Sequence, residues 1–334
     1  MRPEDLHEWG TSGARPLRRW HAGRVTDAPP SPAPDWIQSL RGKILVALAG
    51  DPTGMAPYVR AIAEGDDAGY FVENGPAWTV HAGMGTLVAG IRALLLQALH
   101  PGALAGVHDW SRYREDPIGR LTGTVRWVIT LTYGSRTQAD AETARVGRFH
   151  QRVKGEYQAG DGKERRYTAE AQDLVRWVHL AFTDAFLAGH EASKKPIPGG
   201  PDAYVADWAT AGRLMRVVDP PLTRAALRAE IDGFWERGEL RGDERVADVV
   251  SFLRRPPFPG VMGLSYRVLF AAAVATIPRR YRKMLGVRRW PLPVLTLTRV
   301  ILRVTERALG SGPRAQDMAR ERLRRLEREG RAAA

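Results

Sequence analysis

An all-α fold built as a single large helical domain is what this sequence predicts, and three observations predict it. Apolar residues recur at three- and four-residue spacing, as in Leu87, Ile91, Leu94, Leu95 and Ala98, which is the mark of one face of a 3.6-residue helix. Strand-like alternation is scarce, and Trp290 to Thr298, with PLPVLTLT inside it, is the one stretch that could be extended. Helix punctuation is frequent: Asp116-Pro117, Thr223 after Asp219-Pro220-Pro221, and Pro278 all stand at the edges of periodic runs.

Taken in order, residues 1–35 are rich in Pro, Arg and Gly and read as a flexible arm, because APPSPAPDW offers few backbone donors and cannot hold a helix. Residues 36–310 form the helical domain, and 311–334 a charged C-terminal helix or tail. A first helix starts at Trp36, with Ile37, Leu40, Ile44 and Leu45 on one face, and stops at Gly50-Asp51-Pro52. A second runs from Ala56 to Glu64. The long, nearly all-round apolar helix from Trp78 to His100 belongs in the middle of a bundle, and Gly83, Gly85 and Gly90 fit either a backbone or flat ligand close by or loose N-terminal structure. After Asp116-Pro117 a helix carries Arg120, Thr124 and Trp127 on one side. The next has Thr137 and Asp140 at capping-box spacing and Gly155 just past its end. Asp161 to Arg166 reads as a polar loop. Helices then follow over Tyr167 to Ala188, Tyr204 to Val217, Thr223 to Glu236, Val246 to Leu253, Met262 to Ile277 and Leu292 to Leu309, and Met318 to Arg328 is a charged helix.

Composition removes several functions. The chain has 334 residues and no cysteine, so disulfides, thiolate nucleophiles, Cys-based zinc sites and iron–sulfur clusters are excluded. The net charge is +13, but only six of the 50 basic residues are lysine, and the arginines are spread along the chain with denser clusters at Pro278 to Arg289 and Met318 to Arg331. That distribution reads as an arginine-rich composition, and nucleic acid is not the expected partner. No run approaches the ~18 apolar residues of a membrane span, and the N-terminal arginines lead into a polar stretch, so a cytoplasmic protein is expected.

The candidate chemistry lies in histidines. Val146, Phe149, His150 and Val153 share a helical face, which aims His150 inward as an axial haem ligand or as a core histidine bonded to a carbonyl. His100, before a helix-breaking proline, reads first as a C-terminal histidine favoured by the helix dipole and second as a pocket residue, and His179, beside an apolar stripe, is a fallback; they are the runners-up as iron ligand. Arg120 and Thr124, four residues apart, project together and suit an oxygen ligand or a haem propionate, or else an ion pair and a back-bonded threonine. Glu-x-x-His pairs, GxGxxG and GxSxG patterns are not found in usable settings.

The strings RALLLQALHPGALAGV, DPIGRLTGTVRWV, TYG, HQRVKG and YTAEAQDLVRWVHLAF, in that order, resemble the latex clearing protein and MpaB oxygenase family, the rubber oxygenase catalytic-domain family. The likeness continues through VVDPPLTRAALRAEIDGF and IPRRYRKMLGV, covering roughly residues 50 to 290. It implies a globin-like core holding haem b, with iron and O2 oxidising a small apolar, isoprenoid-type substrate. It places the family's arginine and threonine on Arg120 and Thr124 and its axial histidine on His150. Two departures are visible. The family's lysine just before the threonine is replaced by Gly123, so a lysine-capped iron is not expected, and its upstream carboxylate has only Asp109, Glu115 and Asp116 nearby. Both argue against rubber as the substrate. The competing class is a non-catalytic helical binding protein whose basic surfaces meet nucleic acid or acidic lipid.

Overall fold

Why the helices stop where they do sets the architecture. In the computed structural model residues 42, 45–46, 50–111, 114–159, 162–255, 260–309 and 314–330 are described; the predicted arm, most of the helix from Trp36 and the 331–334 end lie outside them. Residues 35–334 make one compact unit, and the described part is mostly helical, with one two-stranded sheet.

A short helix α1 (Pro57–Arg60) runs into a 3-10 turn over Ala61–Glu64. The long helix expected from Trp78 to His100 is in fact two, α2 (Pro76–Ala82) and α3 (Thr86–Gln97), meeting at an angle of 96°. The corner is Gly83, whose backbone is extended, and Gly85. A Cβ on Gly85 would sit 2.6 Å from the carbonyl oxygen of Gly189, so the corner exists because two backbones touch there. Helix α4 (Pro101–Trp110) follows, then α5 (Pro117–Tyr133) and α6 (Arg136–His150).

Where the sequence suggested a loop and an early helix, the chain forms a hairpin, β1 (Lys154–Gln158) and β2 (Glu164–Thr168). Tyr157 and Tyr167 are its two buried tyrosines, packing with Ala105, Val153 and Leu174 against α4. Gly155 is a strand residue, not a helix end: a Cβ there would meet the Tyr167 ring at 2.9 Å. Helix α7 therefore begins only at Gln172 and runs to Ser193, followed by α8 (Gly200–Leu214), α9 (Arg224–Glu236), α10 (Glu244–Arg254), α11 (Gly260–Thr276) and α12 (Arg279–Met284). The stretch that looked extended is not a strand, since α13 (Val294–Leu309) begins within it; Thr298 is buried and bonds back to the Val294 carbonyl.

The core centres on α3 lying along α7, the most extensive helix contact. Buried Arg92 of α3 ties the two helices through Asp184 and reaches Thr276 of α11 at 3.1 Å. Helix α14 (Ala315–Arg328) is amphipathic rather than wholly solvated. Its Ala319, Arg322 and Leu326 are buried, and Arg322 gives its guanidinium hydrogens to the carbonyls of Ile62 (3.2 Å) and Ala68 (3.3 Å). Burial lowers the Arg322 pKa to about 10, still far above neutrality.

Candidate functional site

Helices α5 and α6 are joined only by Gly134 and Ser135, so they must fold back on each other. Asp116 caps α5 by accepting from the Gly119 amide at 2.9 Å, as the Asp-Pro signal predicts. The α6 cap is displaced from the predicted one. Ser135 and Gln138 make the reciprocal box instead of Thr137 and Asp140, while Asp140 accepts from the Tyr70 hydroxyl at 2.7 Å.

This hairpin sets the register of the site. Arg120 lies 13 residues before Tyr133 and His150 lies 14 after Arg136, so at ~1.5 Å per residue both rise roughly 20 Å from the turn and stand level. Gly123 and Thr124 stand level with Gly147, and Trp127 with Thr143. The two helices are pinned by Glu142, buried on α6, which accepts from Arg126 of α5 at 3.0 Å and from Arg145 at 2.6 Å. Counted from that ion pair, both sets of residues lie about a quarter-turn round in the same sense, which in an antiparallel pair brings them to one side.

Among the described residues, a Cβ added to Gly123 or Gly147 on that side would meet nothing within 4 Å. Arg120 bonds through Nη1 to Thr124 Oγ1 at 2.5 Å. Its side chain keeps accessible surface, yet the surrounding protein desolvates the guanidinium and lowers its pKa. On the same side Trp127 meets Phe182 of α7 (6.2 Å between ring centres) and Trp208 of α8 (6.0 Å), edge to face. One turn from Phe182, Val178 is exposed. The Trp127 Nε1 and Thr143 Oγ1 are both buried with no hydrogen-bond partner. Each helix thus carries on this side a buried polar atom with no partner among the described residues, a costly arrangement inside a folded protein.

His150 is the last residue of α6 and half-buried. The inward set predicted around it is only partly realised: Phe149 is exposed, and Val153 lies beyond the helix in the hairpin cluster. The imidazole makes no side-chain hydrogen bond among the described residues. Burial lowers its pKa, the nearby Arg120 charge lowers it further, and Glu170 opposes both, so the ring is neutral at pH 7 with a lone pair available.

The other candidates stand elsewhere. His100 is buried against Tyr157, Trp177 and Phe234, with ring centres 6.0–6.4 Å away and Nδ1 unpartnered. His179 is buried against α8, where a Cβ on Gly212 would stand 2.9 Å from its ring, and burial lowers its pKa to about 4. Neither adjoins open space comparable to that at Gly123 and Gly147. Of the nearby carboxylates, Asp109 accepts from the Tyr167 hydroxyl at 3.0 Å, Asp116 is spent as a cap and Glu115 is exposed. Among the described residues no three His, Asp or Glu side chains converge as metal ligands.

Sequence reasoning missed His81. It sits in the aromatic core, sharing Oγ1 of Thr132 (3.0 Å) and the hydroxyl of Tyr204 (3.1 Å) between its two nitrogens. Glu142 was also missed, although its spacing to Arg145 was readable.

Mostly helical and with His150, Arg120 and Thr124 brought towards one side of the α5–α6 pair, the chain is of a class that comparison with known proteins identifies. The chain belongs to the oxygenase family described as ER-bound oxygenase mpaB/B'/Rubber oxygenase, catalytic domain, which matches residues 78–307. That span holds Arg120, Thr124, Trp127 and His150. No curated protein and no solved structure matches the chain. Among the described residues no single helix is long and apolar enough to cross a membrane.

Proposed function

We propose that the side of α5 and α6 carrying Gly123 and Gly147 is a recess that would bind haem b with His150 holding its iron, and that the chain uses O2 to oxidise a small apolar, isoprenoid-type substrate in the cytoplasm. The observation that carries the reading is the neutral imidazole of His150, without a side-chain hydrogen bond among the described residues and close enough to Arg120 for that charge to lower its pKa.

The residues fit the group. A planar macrocycle needs room beside the helices, and the side-chain-free positions at Gly123 and Gly147 are compatible with that. A neutral imidazole is a common axial donor, and with no cysteine in the chain a thiolate cannot compete. When bound, haem b supplies an iron able to activate O2. The chain supplies the rest. His150 holds its lone pair unprotonated, because protonation is opposed by burial and by Arg120. Arg120 remains cationic at neutral pH; with one nitrogen given to Thr124, its other donors are available for a propionate carboxylate or a polar oxygen. Thr124 is held by that bond with its hydroxyl on the same face. Trp127, Phe182 and Val178 exclude water and favour an apolar substrate. Gly123 gives no side chain to cap an iron, which leaves room for substrate. The globin-like core expected from the resemblance is part of the same proposal.

The test is the absorption spectrum of the purified chain after haem is supplied. A Soret band that survives gel filtration at one haem per chain is the expected result, and a chain that emerges colourless ends the reading.

A further inference from the structure

A second cleft lies on the far part of α7, among α3, α9, α12 and α13, with a volume of about 520 Å³. That is within the ~300–1,000 Å³ of small-molecule sites. Half of its lining residues are charged. Three carboxylates face it, and each already has a cation: Asp184 is paired with Arg92 at the buried end, Glu191 accepts from both terminal nitrogens of Arg224 at 2.7 and 2.9 Å, and Asp232 accepts from Arg280 at 3.0 Å. Asp232 is further held by the Tyr281 hydroxyl at 2.8 Å.

Three more cations line the same cleft after those pairs are formed. Arg228 and Lys194 make no ion pair or side-chain hydrogen bond among the described residues, and Arg299 gives only its Nε, to the Ala192 carbonyl at 2.9 Å. Lys194 is placed by the left-handed cap that ends α7. Three positive charges from three separate elements thus face one cleft without a paired carboxylate, an arrangement that attracts anions. Arginine forks match the paired oxygens of a phosphate, and several converging forks match a ligand with more than one phosphate.

We infer that this cleft is a binding site for a small polyanion of the pyrophosphate type, whether free or as the terminal group of a soluble molecule. The site is separate from the recess at His150 and does not depend on haem: it uses none of the recess residues. The ligand's oxygens take the donors of Arg228, Lys194 and the unused face of Arg299.

Titration calorimetry of the full, haem-free chain with inorganic pyrophosphate at about 0.15 M salt tests this. One saturable site is expected, with affinity at least tenfold weaker in Arg228→Gln/Arg299→Gln. The single variant Arg228→Gln, which breaks no contact among the described residues, is expected to weaken binding with an unchanged melting curve. Arg166→Gln, on the exposed face of the hairpin, should bind as the unaltered chain does. Equal affinity in all variants overturns the site. So does displacement of pyrophosphate by duplex DNA at lower concentration, which would make the cleft part of a nucleic-acid surface, or binding confined to phosphatidic-acid vesicles, which would make it a lipid contact.

Discussion

His150 and His81 occupy two kinds of environment within one helical domain. His81 is enclosed: both ring nitrogens are engaged, Trp208 and Phe186 lie 4.2 and 4.9 Å from it centre to centre, and burial drives its pKa down to about 3. His150 stands at a helix end, half-buried, with no side-chain hydrogen bond among the described residues, and Gly147, three residues before it, has nothing described within 4 Å of an added Cβ. Both imidazoles are neutral at pH 7, so protonation does not distinguish them. Availability of the lone pair does. The more deeply buried histidine is the poorer ligand, because Thr132 and Tyr204 already use what a metal would need.

The sharpest break of that contrast is a pair of substitutions. His150→Ala should abolish the Soret band of the haem-supplied chain while urea unfolding changes by less than ~1 kcal/mol, since no hydrogen bond is lost. His81→Ala should act the other way, costing about 3 kcal/mol through a buried cavity and two stranded hydroxyls, with the band retained in whatever fraction stays folded. A folded His150→Ala chain with an unshifted band would move the ligand to His100 or His179.

The two histidines also show what a sequence displays. The Asp116 cap and the four-residue step from Arg120 to Thr124 are local, and both were legible. His150 was readable as a helix residue, but its level with Arg120 depends on a turn of two residues whose cap was misplaced by two positions. The partners of His81 are 51 and 123 residues away, and nothing in the neighbourhood of Val80 announces them. The corner at Gly83 and Gly85 was hidden for a similar reason: apolar spacing continues across it, and only the backbone of Gly189, from α7, decides that the helix must turn. The β-hairpin escaped because its strands are short and mostly polar, leaving two tyrosines as the only buried signal.

Acid should separate the regions next. His81 and His179 have native pKa values near 3 and 4, below the ~6.5 of an unfolded histidine. Their depressed values mean the unfolded chain takes up protons first. Stability is therefore full above about pH 6.5 and falls as pH drops towards 4, by up to ~1.4 kcal/mol per unit for each group. Urea midpoints measured between pH 7 and pH 4.5 should show this fall, and His179→Phe should make it shallower. A slope unchanged by that substitution would mean that other groups govern the acid limb.

The smallest effect on stability is expected from Gly123→Leu, and it bears most directly on the recess. Glycine inside a helix costs about 0.5–1 kcal/mol relative to a residue with a side chain, and the added Cβ would meet nothing within 4 Å. The substitution should therefore leave the fold intact or raise its urea midpoint slightly. The same side chain would occupy the opening between Arg120, Thr124 and His150, so haem uptake, read as Soret absorbance per chain, should fall severalfold. Stability and uptake moving in opposite directions would distinguish a space kept open for a ligand from one left by imperfect packing. If uptake is unchanged while stability rises, the haem does not lie over Gly123, and the recess loses its claim to the chemistry.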